Sequence, residues 1–179
     1  MSEHKRLQRD LIYKGHIVNV YEDTMQLPDG RTAKWDFIEH KGAAAIIPVD
    51  HDGKIIMVRQ YRNAPEQYVL EIPAGGLNPG EDMATCAARE LEEETGYRSD
   101  HIEHLVTIYT TVGFCNEKIG IYCGFDLVPT KQNLDEDEYV SLEKYTLEEL
   151  VSFIYDGTIM DGKTIAGILA YKNKIENMK

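Results

Sequence analysis

The chain has 179 residues, of which 42% are hydrophobic and 28% are charged, with a formal net charge of −12 and an isoelectric point near 4.9. This length suits one domain with a proper core, and the composition is ordinary for a soluble globular protein. The negative charge argues against non-specific binding to nucleic acid or to a membrane. It would also repel an anionic substrate, so we expect cations at any site that binds one.

Cysteine usage and the first residues bear on the cellular compartment. Cys86, Cys115 and Cys123 lack metal-ligand spacing, and such a sparse set predicts reduced thiols in a cytoplasmic protein. Residues 1–10 are polar, so no signal peptide is visible, and no apolar run approaches membrane-spanning length.

Residues 1–40 are predicted to contain antiparallel strands, with β-rich sequence at 17–27 and a turn at 27–30. The antiparallel unit is predicted to begin near residue 11. Trp35 lies in an alternating strand, where its indole either packs in the core or stacks on a nucleobase. Because these strands precede the core and their edges need partners, we predict that they dimerise the protein.

The rest of the chain alternates between strand and helix patterns. Strands are predicted at 43–49 and 54–61, joined as a hairpin by the turn at 50–53. Further strands are predicted at 68–72, 105–112, 118–127 and 139–145. A capping-box signature at 146–149 opens one late helix, and a last helix follows residue 161.

A central helix is predicted within residues 75–97. Residues 79–82 are typical of a helix start, and Gly96 stands where a C-terminal glycine would end the helix. An apolar stripe at helical spacing is predicted to face the core; it consists of Ala84, Ala87, Ala88 and Leu91.

Three glutamates share another face of this helix: Glu90, Glu93 and Glu94. Like charges at this spacing cost roughly 0.2–0.5 kcal/mol per pair, and the helix C-terminus favours cations instead. The cluster is either a solvated acidic face or a site for a hard cation. Oxygen ligands without nearby histidine or cysteine suit Mg²⁺ or Mn²⁺.

The same stretch resembles the Nudix box. The resemblance is carried by Gly75, Glu81, Arg89-Glu90-Leu91, Glu93-Glu94 and Gly96 at fixed spacing. Residues 72–75 and the strand order are similar to the branch of ADP-ribose pyrophosphatases and nucleoside diphosphate sugar hydrolases.

The resemblance implies an α/β fold, a Nudix-type α/β/α sandwich with a mixed sheet and an N-terminal antiparallel extension. It divides the chain into a dimerising segment, 1–40, and a Nudix hydrolase domain, 41–179. It implies hydrolysis of the pyrophosphate bond of a nucleoside diphosphate sugar to a nucleoside monophosphate and a sugar phosphate.

The resemblance also implies roles for the acidic residues. Glu90, Glu94 and the Ala74 carbonyl would hold divalent ions with help from Glu93, and Arg89 would orient the carboxylates.

An acidic residue before the last strand would position or deprotonate the attacking water, with Glu138 the first candidate and Glu136 the second. A box glutamate, Glu93 first, is the remaining candidate for this role. The acidic run at 135–138 is alternatively only a solvated loop.

For the substrate, Arg62 is implied to bind phosphate, Trp35 is implied to hold the base, and Glu71 is predicted to belong to the same site. Phe114 either packs internally or touches substrate. Val112 stands where ADP-ribose hydrolases usually carry proline, which leaves nucleotide hexoses open beside ADP-ribose. The alternatives are a non-catalytic nucleotide-sugar sensor and a Nudix hydrolase of dinucleoside polyphosphates or nucleoside triphosphates.

Overall fold

The computed structural model describes residues 3–134, 136 and 138–177. They form two compact units. The first holds the chain up to Gly42 together with Tyr109–Lys118, and the second holds the remainder.

Strands and helices follow one another along the chain as an α/β protein. The strands are β1 (Lys5–Lys14), β2 (Asn19–Gln26), β3 (Thr32–Glu39), β4 (Ala43–Pro48), β5 (Ile55–Arg62), β6 (Gln67–Glu71), β7 (Ala74–Gly76), β8 (Tyr97–Arg98), β9 (His101–Tyr109), β10 (Lys118–Phe125), β11 (Val128–Pro129) and β12 (Val140–Tyr145). The helices are α1 (Met83–Thr95), α2 (Leu147–Tyr155) and α3 (Gly162–Glu176).

The first unit is built on an antiparallel sheet in the order β1-β2-β3. Its first strand begins at Lys5, earlier than predicted, because an exposed strand needs no apolar alternation to pair through its backbone. A bidentate ion pair fastens it to the middle strand: Arg9 donates two hydrogen bonds of 2.6 Å to Asp23, which is buried. The Arg9 guanidinium also lies 3.6 Å from the Phe37 ring centroid.

A mixed sheet in the order β7-β4-β10-β9 forms the centre of the second unit. β4 pairs in parallel with β10 and antiparallel with β7. All residues of β4 are buried, which explains its continuous apolar run. The mixed sheet that the sequence predicted is therefore confirmed.

The predicted hairpin between β4 and β5 is wrong. The turn forms, since the Asp50 amide donates to the Lys54 carbonyl at 2.9 Å, but only the Val49–Ile55 bridge pairs the two segments. β4 already has a neighbour on each edge, so β5 lies instead in a second sheet, ordered β12-β5-β6.

Helix α1 covers one face of the mixed sheet. Asp82 caps its N-terminus, and Gly96 ends it in the left-handed conformation at φ 68°, as the sequence predicted. Of the predicted apolar stripe, Ala87 and Leu91 are buried, whereas Ala88 is half-buried and Ala84 is exposed. The face toward the sheet consists of Met83, Cys86, Ala87, Glu90, Leu91 and Glu94, of which all but the half-buried Met83 are buried. The core-facing stripe of α1 thus includes two carboxylates.

Helix α3 lies over the opposite face. Ile168 and Tyr171 belong to a core cluster with Ala45 and Ile47, whereas Ala44 and Ile46 belong to the cluster under α1, so alternate residues of β4 serve the two layers. The sandwich of the second unit therefore has a helix on each side of its sheet. Helix α2 begins with the predicted capping box at Thr146. Within the described part of the chain, no helix has the length and apolar character to cross a bilayer.

Candidate active site

Two buried carboxylates on α1 form the floor of the candidate site. Glu90 is 7% exposed and Glu94 is 1% exposed, so a solvated acidic face is excluded for this pair. Burial raises the pKa of Glu90. Burial, followed by the neighbouring Glu90, raises the pKa of Glu94 to about 8, although the Ala74 amide donates to Glu94 Oε2 at 3.1 Å.

Strand β7 passes directly over these carboxylates. Gly75 packs on Glu90 so closely that a side chain at position 75 would overlap it. Ala74, next to it, pairs with Ala45 of β4. The mixed sheet therefore fixes the backbone that contacts Glu90 and Glu94.

Arg89 links three carboxylates around the site. It donates to Glu90 at 2.6 Å and to Glu93 at 2.7 Å, and it binds Glu81 through two bonds of 2.9 Å. The hydrogen bonds from Arg89 lower the pKa of Glu81 to about 2. The Arg89 side chain is 25% exposed and its contacts are with carboxylates, the Gly76 carbonyl and the Cys86 sulfur.

A polar cleft of about 180 Å³ opens above the carboxylates. Glu138 lines it beside Glu90 and Glu93, and its charge contributes to the raised pKa of Glu90 and of Glu94. Glu136 is exposed and is not among the lining residues. Asp135 and Asp137, which belong to the same acidic run, lie outside the described residues.

The sequence analysis missed two residues that attach the loop before Glu138 to α1. The Asn133 amide donates to the Glu93 carbonyl at 2.9 Å, and Gln132 Nε2 donates to the Glu94 carbonyl at 2.6 Å. Both contacts satisfy carbonyls in the last turn of the helix, which lack partners within it. No signal in the sequence distinguishes these amides from other polar loop residues.

The donor set fits a hard divalent cation. Glu94 forms no ion pair within 4.0 Å with a cationic side chain anywhere in residues 3–134, 136 and 138–177, and the charge of Arg62 offsets the effect of its burial only in part. Such a carboxylate is costly to ionise unless a cation binds it. Carboxylate oxygens and a backbone carbonyl are the ligands that Mg²⁺ and Mn²⁺ prefer.

A second cluster of titratable side chains lies in a turn, and the hydrogen bonds of that turn account for it. Asp50, His51 and Asp52 lie close together between β4 and β5. Asp50 accepts backbone hydrogen bonds from Asp52 and Lys54 and a side-chain bond from Lys144, each of 3.0 Å. These contacts make it an Asx-type turn with an ion pair.

Arg62 and Glu71 form a partly buried ion pair at the ends of β5 and β6. Arg62 Nε and Nη2 donate to the two Glu71 oxygens at 2.7 and 2.9 Å, and the Glu71 side chain is 3% exposed. Both residues line a cleft of about 500 Å³. Glu71 thus contacts Arg62 directly and holds its guanidinium plane.

Trp35 and Phe114 belong to the first unit, whereas the acidic residues belong to the second. Trp35 is 44% exposed, so the core interpretation of this residue is wrong; its ring lies 5.6 Å from that of His4. Phe114 is 50% exposed. Its carbonyl accepts the Ile38 amide at 2.6 Å.

Comparison with known proteins decides the family. The model of the NUDIX domain matches residues 39–165. The chain belongs to the Nudix family. This Nudix protein is 40% identical over 170 residues to the methanol dehydrogenase activator of Bacillus methanolicus, covering 94% of this chain and 92% of the relative. It is 36% identical over 168 residues to the ADP-ribose pyrophosphatase of Bacillus subtilis, covering 93% and 91%.

A solved structure supports the fold. The crystal structure of an ADP compounds hydrolase superposes with a TM-score of 0.88, covering 98% of this chain and 96% of that one, at 20% identity. The predicted Nudix fold is therefore confirmed.

Proposed function

We propose that this Nudix protein hydrolyses the pyrophosphate bond of nucleoside diphosphate sugars, with ADP-ribose or a nucleotide hexose as substrate. The products are a nucleoside monophosphate and a sugar phosphate. The observation that carries the proposal is the cleft in which Glu138 lies beside Glu90 and Glu93 over the buried Glu94. The similarity to an ADP-ribose pyrophosphatase over 93% of the chain supports the substrate class.

The proposed cofactor is Mg²⁺ or Mn²⁺, held by Glu90, Glu94 and the Ala74 carbonyl with Glu93 assisting. When bound, such an ion neutralises charge on the phosphate oxygens and lowers the pKa of water. Arg89 keeps the Glu90 and Glu93 carboxylates oriented, since it donates to both.

Glu138 is proposed to position the attacking water and accept its proton. The water oxygen forms a bond to one phosphorus while the bond from that phosphorus to the bridging oxygen breaks, and the second phosphate leaves with the bridging oxygen. Glu138 is preferred to Glu136 because it lines the cleft and Glu136 does not. Glu93 is the remaining candidate for the same role.

Substrate recognition is proposed to rest on Arg62 and Trp35. Arg62 has donors left over from its bond with Glu71, and they suit a phosphate. Trp35 presents an exposed indole face on which a base can stack. Phe114, which is half exposed, is proposed as a further substrate contact.

The proposed assembly is a homodimer formed through residues 1–40. Four large apolar side chains of β1 are at least half exposed, and apolar side chains on a short sheet favour a partner: Leu7, Leu11, Ile12 and Tyr13. A cytoplasmic location is proposed because Cys86, Cys115 and Cys123 are free.

A product screen tests the function. Purified protein is incubated with Mg²⁺ and ADP-ribose, ADP-glucose, UDP-glucose, diadenosine tetraphosphate or ATP, and products are identified by chromatography. We expect nucleoside monophosphate and sugar phosphate from a nucleotide sugar, and no turnover in excess chelator.

The other outcomes separate the alternatives. Turnover confined to the tetraphosphate or ATP would indicate another class of Nudix hydrolase. Tight binding of nucleotide sugars without turnover at any divalent ion would indicate a sensor.

A further inference from the structure

Lys163 is a buried lysine in the first turn of α3. Its side chain is 10% exposed, and its Nζ donates to Glu71 Oε2 and, at 3.0 Å, to Asp161 Oδ2. A cation in the first turn of a helix is opposed by the helix dipole, and a buried ammonium is costly without partners. Two carboxylates compensate both costs, so the position of Lys163 depends on this pairing.

Glu71 joins Lys163 to Arg62. Its Oε2 accepts from Lys163 and from Arg62 Nη2, while its Oε1 accepts from Arg62 Nε. With Lys163 bound, Glu71 presents both oxygens to the guanidinium in one fixed plane. A bidentate pair of this kind fixes the orientation of an arginine as well as its position.

Arg62 retains donors that face away from this pair. A guanidinium has five N–H donors, and the pair with Glu71 uses two of them. The Arg62 side chain is 41% exposed and lines the cleft of about 500 Å³. Its remaining donors are therefore available to an anionic ligand.

A second branch of contacts keeps Lys163 in place. Asp161 caps α3 by accepting from the Thr164 amide at 2.9 Å and from the Thr164 hydroxyl at 2.6 Å. The Thr164 hydroxyl oxygen accepts the Ile72 amide at 3.0 Å. Because Ile72 follows Glu71 directly, the helix start is tied to the same strand end at two points.

We propose that Lys163 is a positioning residue, which holds Glu71 and, through it, the Arg62 guanidinium in the orientation that binds a phosphate of the substrate. The inference rests on the proposed function, since it takes Arg62 as a substrate contact. Without Lys163, the carboxylates of Glu71 and Asp161 would compete for one arginine. Arg62 would then be drawn toward Asp161 and Glu71 and away from the ligand.

The test replaces Lys163 with methionine and measures kinetics and binding separately. Lys172→Met is the matched control, because Lys172 is on the same helix, is 41% exposed and pairs with Glu176 rather than with Glu71 or Asp161. For Lys163→Met we expect KM for ADP-ribose to rise roughly tenfold, as for loss of a charged hydrogen bond, with kcat nearly unchanged. The Kd of ADP-ribose in chelator, measured by calorimetry, should rise by the same factor.

A double-mutant cycle with Arg62→Ala distinguishes positioning from a general structural effect. If Lys163 acts through Arg62, the double variant should have the KM of Arg62→Ala alone. Lys163→Arg, which keeps the charge, should recover part of the affinity. Glu71→Gln offers the same cycle with Arg62→Ala should Lys163→Met fail to fold.

The outcomes separate this inference from the proposed function. Additive effects in the cycle, or an unchanged KM in a folded Lys163→Met protein, would overturn the inference while leaving the function intact. Absence of ADP-ribose turnover by the wild type would count against the function. In that case, the double-mutant cycle would be measured on the Kd of ADP-ribose by calorimetry, and it would still test the role of Lys163. Wild-type protein that does not bind ADP-ribose would overturn this inference as well.

Discussion

A Cβ built on Gly75 would lie 1.9 Å from Oε1 of Glu90 and 2.5 Å from Oε2. Both distances are far below van der Waals contact, so any side chain at position 75 must displace the carboxylate or the backbone of β7. The position of Glu90 therefore requires a glycine at position 75, the first residue of the Nudix box. Backbone and carboxylate together define where a cation could bind.

Gly75→Ala should lower kcat about a hundredfold, because displacing a proposed ligand by about 1 Å disturbs the catalytic geometry. Gly76→Ala is the control: a Cβ at Gly76 meets nothing within 4 Å, and we expect most of the activity to remain. Steady-state kinetics and circular dichroism on both variants check this. Equal activity of the two variants would contradict the assignment of Glu90.

Glu94→Gln should stabilise the metal-free protein at pH 8. Because the pKa of Glu94 is about 8 in the folded protein against an ordinary value of 4.5, folded protein holds a proton that unfolded protein releases between these values. Stability should therefore fall as pH rises from about 4.5 to 8, by up to about 1.4 kcal/mol per pH unit, and the glutamine variant should lack this loss. Urea unfolding in chelator at pH 5 and pH 8 measures it.

The same variant should lose its response to metal. Wild-type protein should melt at a higher temperature with Mg²⁺ or Mn²⁺ than in chelator, because binding to the folded state stabilises it. Glu94→Gln should show little shift and little activity. Glu92→Gln, at an exposed position on the same helix, is the control and should behave like wild type. An unchanged wild-type melting temperature at saturating metal would contradict the proposed metal site.

Glu138→Gln should lower kcat by about 10²–10⁴-fold with little change in fold or substrate affinity, as expected for loss of a general base. Glu136→Gln is the matched control two residues away and should remain near wild type. The reverse result would show that Glu136 is the base. If neither variant is impaired, Glu93→Gln is the next to measure.

Trp35→Ala should raise KM for nucleotide sugars more than it lowers kcat, because stacking on a base is equal in the ground and transition states. The melting temperature should change little, since 44% of Trp35 is exposed. Tyr155→Ala, at an exposed aromatic of α2, is the control for kinetics. Unchanged kinetics in Trp35→Ala would remove Trp35 from the substrate site.

Light scattering at micromolar concentration should give twice the 20.4 kDa mass of one chain. Leu11→Glu, which places a charge among the exposed apolar side chains of β1, should shift the protein toward monomer. Lys14→Glu, which changes charge at the end of the same strand without removing an apolar side chain, should leave the mass doubled. A wild-type mass of 20.4 kDa would reject the dimer.

Local signals in the sequence were sufficient where the structure depends on local contacts. Thr146 and Glu149 form their capping box, and Gly96 ends α1, because caps are set by residues within one turn. The acidic cluster was identified by spacing along one helix. The burial of Glu90 and Glu94 was not predictable, since it depends on which face of α1 meets the sheet.

Features that depend on contacts between residues far apart in the chain could not be predicted from the sequence. The sequence predicted a hairpin of β4 and β5 because the turn between them is a strong local signal. The observed partners of β4, however, come from far along the chain. Lys163 appeared only as part of a helix start, and its contact with Glu71 joins residues far apart in sequence. A cation in the first turn of a helix was the available clue to that contact.

The parallel pairing of β4 with β10 also constrains how the protein folds. The register joins Ala43 to Ile119, so residues 49–118 form a loop that must close before the central sheet exists. Closing long loops is entropically costly, and folds dominated by such contacts form slowly. During synthesis, β4 therefore emerges from the ribosome well before its central neighbour, and the backbone groups on that edge of β4 stay unpaired until β10 has been translated.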